Sequence, residues 1–174
     1  MKTSTSIALK WGLISGIISF ISSFFQQYSG LMDDVIEENA WLSVLIGSVL
    51  TVTFIFLCLK EYRLENNDEL SYGKGVGLST MLGAITGLVA GIFNFIYLKF
   101  IDNGYLERQL DKLRDQWDEQ GLSSAQIEQA EKMIQMFMGP GVQMVIIVLF
   151  SIIFHVLISL VVSAVLKREK PIFD

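Results

Sequence analysis

"GVGLSTMLGAITGLVAGIFNFIYL", Gly75–Leu98, decides how this chain folds. It runs 24 residues between Lys74 and Lys99 without a charged side chain. A helix that crosses a bilayer needs about 20 consecutive apolar residues. Helices in soluble cores seldom go so far without a charge, so this stretch reads as a membrane span.

Three more segments share its character: Ile7 to Tyr28, Ala40 to Leu59, and Val142 to Leu166. The last follows Lys132 with no charge until Lys167. Of the 174 residues 52% are hydrophobic and only 18% charged, and the charges fall in blocks between the apolar runs. A soluble domain carries about 25%. The expected fold is therefore all-α: an integral membrane four-helix bundle forming a single membrane domain, with spans at 7–28, 40–59, 75–98 and 142–166. Lys2 and Lys10 ahead of an apolar run give the first span the look of a signal peptide. The bulky "FFQQYSG" that follows offers no small-x-small cleavage site, so it reads as a retained span.

Net charge of -5 gives no basic face for nucleic acid. Cys58 is the one cysteine, which forbids an internal disulfide and reads as a small buried hydrophobe. No metal-ligand spacing, catalytic serine or zinc motif, or phosphate-binding loop stands out. "YGKGVG", Tyr72 to Gly77, lacks the preceding strand and closing Lys-Ser/Thr of a phosphate loop, and reads as a flexible lead into the third span. No enzymatic activity, cofactor or metal is expected. "DDVIEE" reads as a solvated acidic loop rather than a Ca²⁺ site.

Lys and Arg set orientation in the membrane. Lys2, Lys10, Lys60, Arg63, Lys74, Lys167, Arg168 and Lys170 fall on one side, against Lys99, Arg108, Lys112, Arg114 and Lys132 on the other. Eight against five is a modest bias. The first loop strengthens it, being short and without basic residues while carrying Asp33, Asp34, Glu37 and Glu38. Both termini are expected to be cytoplasmic in a bacterial inner membrane, with the long loop periplasmic.

That loop contains an extramembrane helical hairpin over 103–138. Leu106, Leu110, Leu113 and Trp117 form one helical face, and Ile127, Ala130, Ile134 and Phe137 another, with Met133 beside it. Gly121 ends the first helix. Ser123 and Gln126 have capping-box spacing at the start of the second, with Leu122 and Ile127 placed as a staple. The two faces could pack on each other and on the bundle, could lie on the membrane surface, or could dock a membrane-complex partner through Trp117, Met133 and Phe137. Membrane-surface helices usually carry a basic polar face, and this hairpin is net acidic.

Inside the spans, small residues recur every four positions: Ser15, Ser19 and Ser23; Ser43, Gly47 and Thr51; Gly83, Gly87 and Gly91; Ser151, Ser159 and Ser163. Small residues let membrane helices approach closely. Packing within the bundle is the favoured reading, with a homodimer face on Gly83, Gly87 and Gly91 as the other. His155 lies mid-span on the last stripe. An ionisable residue there is a functional candidate, but a relay needs a second such group, so a neutral histidine bonded to a neighbouring helix's serine is favoured. Asn94, near the outer end of the third span, could bond across helices or line a polar pocket. The lipid bilayer is the one partner the sequence requires.

Three stretches carry a family resemblance: "LSYGKGVGLSTMLG" (Leu70–Gly83), "IYLKFIDNGYLERQLD" (Ile96–Asp111) and "GLSSAQIEQAEKMIQMFMGPG" (Gly121–Gly141). With them the chain resembles the domain-of-unknown-function family 4199, small four-span bacterial inner-membrane proteins. "IDNG" departs from the family's pattern, which has a proline soon after that aspartate. The resemblance implies an outward helical insertion between spans three and four, and no activity or functional residue.

Overall fold

A computed structural model describes residues 3–28 and 40–168. The acidic first loop, Lys2 and Lys170 lie outside the described residues. Six α-helices account for nearly all of it: α1 (Ser4–Tyr28), α2 (Ala40–Glu65), α3 (Tyr72–Ile96), α4 (Tyr105–Glu119), α5 (Ser124–Met138) and α6 (Pro140–Leu166). A π-helical turn, Tyr97–Ile101, extends α3. Four helical stretches are long and apolar enough to cross a membrane: Ser4–Gln26, Trp41–Glu65, Tyr72–Ile101 and Pro140–Leu166. At 1.5 Å per residue their 23 to 30 residues span about 35–45 Å, more than the ~30 Å hydrocarbon core. The chain is a multi-pass membrane protein.

The chain divides into two compact units, residues 1–90 with 147–174, and residues 91–146. In the first, α1 packs against both α2 and α3. Parallel to α3, it sets Gly12 against Ile85 and Gly16 against Val89. Ser15 and Thr86 hydrogen-bond between these contacts. Other span hydroxyls turn inward on their own helix: Thr51, Thr53 and Thr80 each donate to the carbonyl four residues back. A hydroxyl in hydrocarbon has no water to bond, so it borrows the backbone.

One end of this unit holds the densest packing, with Ile7, Phe54, Ile55, Cys58, Leu59, Leu70, Leu78 and Leu82 buried together. Its polar groups close over that core. Glu61 accepts from Trp11 Nε1 at 2.7 Å and pairs with Lys10. Lys74 Nζ donates to Ser4 Oγ. After α2 the chain turns through Asn67 and Asp68, both in the left-handed region at φ 52° and 62°. Asn and Asp tolerate that conformation better than other residues with a side chain. The start of α1, the α2–α3 turn and the end of α6 thus share one end, as an up-and-down four-span order requires.

In the second unit, α4 and α5 form an antiparallel hairpin. Gly121, at φ +72°, closes α4 as a Schellman motif: its N–H bonds Asp118 O at 3.0 Å and Leu122 N–H bonds Trp117 O at 3.1 Å. At the start of α5, Gln126 Oε1 accepts from Ser123 N–H and Oγ–H, each at 2.9 Å. Pro140 then opens α6 two residues before the sequence suggested. Proline suits a helix's first turn, where its missing N–H leaves no bond unmade.

Candidate functional site

The α3–α6 seam carries His155 and the serine stripe of α6. The two helices run antiparallel, and each four-residue step up α3 meets a four-residue step down α6. A Cβ on Gly75 would lie 2.6 Å from Ser163 Oγ, one on Gly83 2.6 Å from His155 Cβ, and one on Gly87 2.8 Å from Ser151 Cβ. The same register sets Ser79 opposite Ser159, and both are fully buried. The face of Gly83 and Gly87 is thus occupied by α6 of the same chain. Gly91, in the second unit, lies 3.2 Å from Met144 by the same measure.

His155 is 4% exposed. Its Nδ1 lies 2.8 Å from Ser151 O. A carbonyl only accepts, so Nδ1 carries the proton and the neutral ring leaves Nε2 as an acceptor. Among the described residues no donor reaches Nε2, and none pairs with Ser163 Oγ. The bond therefore runs along α6, not to a serine on a neighbouring helix. It is Ser151 that crosses the seam, donating to Gly83 O at 2.8 Å. Without a side chain on Gly83, that carbonyl is close enough to be reached.

Within the second unit, Asn94 Nδ2 donates to Gln143 Oε1 at 3.3 Å, and Gln143 Nε2 to Met138 O at 3.1 Å. Asn94 bonds across helices. Gln143 passed unnoticed in the sequence, although a glutamine one turn into a charge-free span was the available signal. Asp102, just past the π-turn, accepts two bonds from Arg108, at 2.8 and 2.6 Å, and one from Tyr97 OH at 3.3 Å. This aspartate anchors α4 in the "IDNG" turn. Burial and the Asp102 charge push the Tyr105 phenol up from its ordinary value.

Arg114 ties the hairpin together. It bonds Glu131 on α5 at 2.5 Å and, on α4, Asp111 at 2.7 Å and Glu107 at 3.1 Å. These partners, Glu131 foremost, push the guanidinium above its ordinary value, and Arg114 holds the Glu131 carboxyl below its own. Leu110 is buried on α4's inner face, with Leu106, Leu113 and Trp117 half-buried beside it. Met133 and Phe137 are exposed. The Arg114–Glu131 contact sets the register and puts Trp117 level with Glu128. By helix rise that level lies about 8 Å along the axis from Met133 and about 14 Å from Phe137. Of the three candidate docking residues, Trp117 is half-buried on the hairpin's inner face, and Met133 and Phe137 are exposed on α5.

These features define a four-span membrane protein with a helical hairpin inserted before its last span. The family model described as "Protein of unknown function (DUF4199)" matches residues 10–168, and the chain belongs to this family. No curated protein and no solved structure matches it.

Proposed function

We propose that this is a non-enzymatic accessory protein of the bacterial inner membrane, with both termini cytoplasmic, that holds its hairpin in the periplasm for a membrane-complex partner. The observation that carries this reading is the hairpin's construction. The Schellman closure, the Ser123–Gln126 cap and the Arg114 tie to Glu131 give it one shape before any partner arrives. A preorganised element loses less freedom on binding. The orientation draws support from Lys10, Arg63, Lys74 and Arg168, which gather where α1 begins, α2 turns into α3 and α6 ends.

Purification from native membranes in mild detergent, with mass spectrometry of what accompanies the protein, tests the reading. A stoichiometric companion that is lost when residues 103–138 are deleted is expected; no companion, or one indifferent to the deletion, refutes it. A cysteine at Ser124 in a Cys58→Ala background should react with an impermeant reagent before the inner membrane is breached.

A second reading is a small transporter or lipid-handling protein with a polar path near His155 and Asn94. The buried acceptor at His155 Nε2 favours it. It requires His155→Ala to change flux in a protein that still folds and inserts.

A further inference from the structure

The base of the hairpin exposes a group of large apolar side chains. Phe100 and Ile101, in the π-turn leaving α3, are each 71% exposed. Met133, Met136 and Phe137, in the last two turns of α5, are 60%, 68% and 55% exposed. We propose that these five residues are a lipid-embedded collar, seated among the headgroups and upper acyl chains of the leaflet from which the hairpin emerges.

Three relationships on the chain support lipid as the occupant. First, the collar is continuous with surface that faces hydrocarbon. Ile92 and Ile96 are exposed on α3 and lead to Phe100 in steps of four; Val142 and Val145 are exposed at the start of α6. Only Gly139 separates α5 from α6, so Phe137 cannot lie more than about 10 Å from the first residue of a membrane span. Second, the exposed face of α5 changes polarity with distance from that span. Helical spacing places Phe137, Met136 and Met133 on the face that continues as Gln129 and Gln126, both exposed. The apolar side chains end with Met133, about 10 Å from Pro140 measured along the helix, a distance comparable to the polar zone flanking the hydrocarbon once some tilt is allowed. A protein-docking stripe has no reason to stop at that depth. Third, Lys99 sits where an interfacial lysine should. Its Nζ lies 5.3 Å from the Phe95 ring and 5.6 Å from the Phe100 ring. The stem covers apolar surface while the charge stays within reach of phosphates.

This differs from a hairpin lying flat on the membrane. The charged α4 face and the Trp117 end remain in water, and only the foot enters lipid. The inference depends on the four spans and not on which side of the membrane the hairpin occupies or which partner it holds.

The test uses the full chain, Cys58→Ala, in phosphatidylethanolamine–phosphatidylglycerol nanodiscs, with a spin label at Met136→Cys or at Gln129→Cys. Collision with oxygen, which concentrates in lipid, is compared with collision with a water-soluble nickel chelate. The oxygen-to-chelate ratio at position 136 should exceed that at 129 several-fold. Equal ratios overturn the proposal, since the face is then bare in water. Shielding of position 136 from both reagents also overturns it, since a protein or a second copy of the chain then covers the face. Hydroxyl-radical footprinting of the unaltered protein in the same discs provides a check without substitution. Met133 and Met136 should oxidise slowly despite their exposure in the chain itself, and oxidation at the rate of a free methionine counts against the collar.

Discussion

Leu70 and Arg168 exchange both backbone hydrogen bonds, each 2.8 Å long, and so fasten the turn after α2 to the end of α6. Asp68 adds charge to the junction by accepting from Arg63 and Arg168. The two contributions are separable. Leu70 is 1% exposed, so Leu70→Ala should cost about 2–4 kcal/mol. Asp68 is nearly half exposed, and Asp68→Asn should cost less than about 1 kcal/mol. Thermal unfolding in a mild detergent ranks them, and a larger loss for Asp68→Asn would make the ion pairs, not the buried leucine, the fastening.

Helix approach along the α3–α6 seam predicts a sharp contrast between glycines. A Cβ at Gly87 would meet Val148 Cα at 2.9 Å, a backbone atom that cannot rotate away. Gly87→Ala should therefore destabilise by about 1–3 kcal/mol. At Gly47 nothing lies within 4 Å, and Gly47→Ala should be neutral or slightly stabilising. If both substitutions behaved alike in the same thermal assay, close packing would not be what the glycine is for.

His155 fills space beneath Gly83 while leaving one nitrogen without a donor among the described residues. Shortening it to alanine empties that space, with a loss on the order of 2 kcal/mol expected. His155→Leu keeps most of the volume and removes the unpaired acceptor, so its stability should stay within about 1.5 kcal/mol of the parent. A leucine variant as unstable as the alanine variant would reveal a hydrogen bond to Nε2 that the folded protein needs.

Acid should loosen the hairpin before the spans. Glu131 is held below its ordinary value by Arg114, and Glu128 below its own by Lys132. A carboxyl depressed in the folded state contributes stability above its unfolded value, roughly 4.3, and loses it as pH falls through the depressed one. Hydrogen exchange of the α5 amides, corrected for intrinsic rates, should rise over that acid window. Glu131→Gln should be looser at neutral pH and flatten the response; an unchanged acid response would place its origin elsewhere.

Much of this architecture is readable from the chain because lipid imposes long rules. A run of 24 residues without charge admits few interpretations, and Gly121 and Ser123 announce the hairpin's turn by residue type alone. What resisted reading were pairings between distant segments. Asn94 could be flagged as a polar residue in a span, but its partner Gln143 lies 49 residues on. The histidine bonds the Ser151 carbonyl of its own helix while the Ser151 hydroxyl crosses the seam to Gly83 O, a division of partners that spacing along one helix does not announce. The α5 face looked like a single apolar stripe; burial separates the inner residues Ile127 and Ile134 from the exposed Met133 and Phe137. Arg114 stood in the sequence as one of five basic residues in the long loop, and only the antiparallel register brings Glu131 to it.

The single residue between α5 and α6 has a mechanical consequence. Fifteen residues of α5 make an arm about 22 Å long, joined at Gly139 to the first turn of α6. Where that joint transmits rotation stiffly, a tilt of roughly 10° in the first turn of α6 moves the far end of the arm by about 4 Å. A small change in how the last helix leans, such as a thinner bilayer would impose, is thereby converted into a displacement of molecular size outside the membrane.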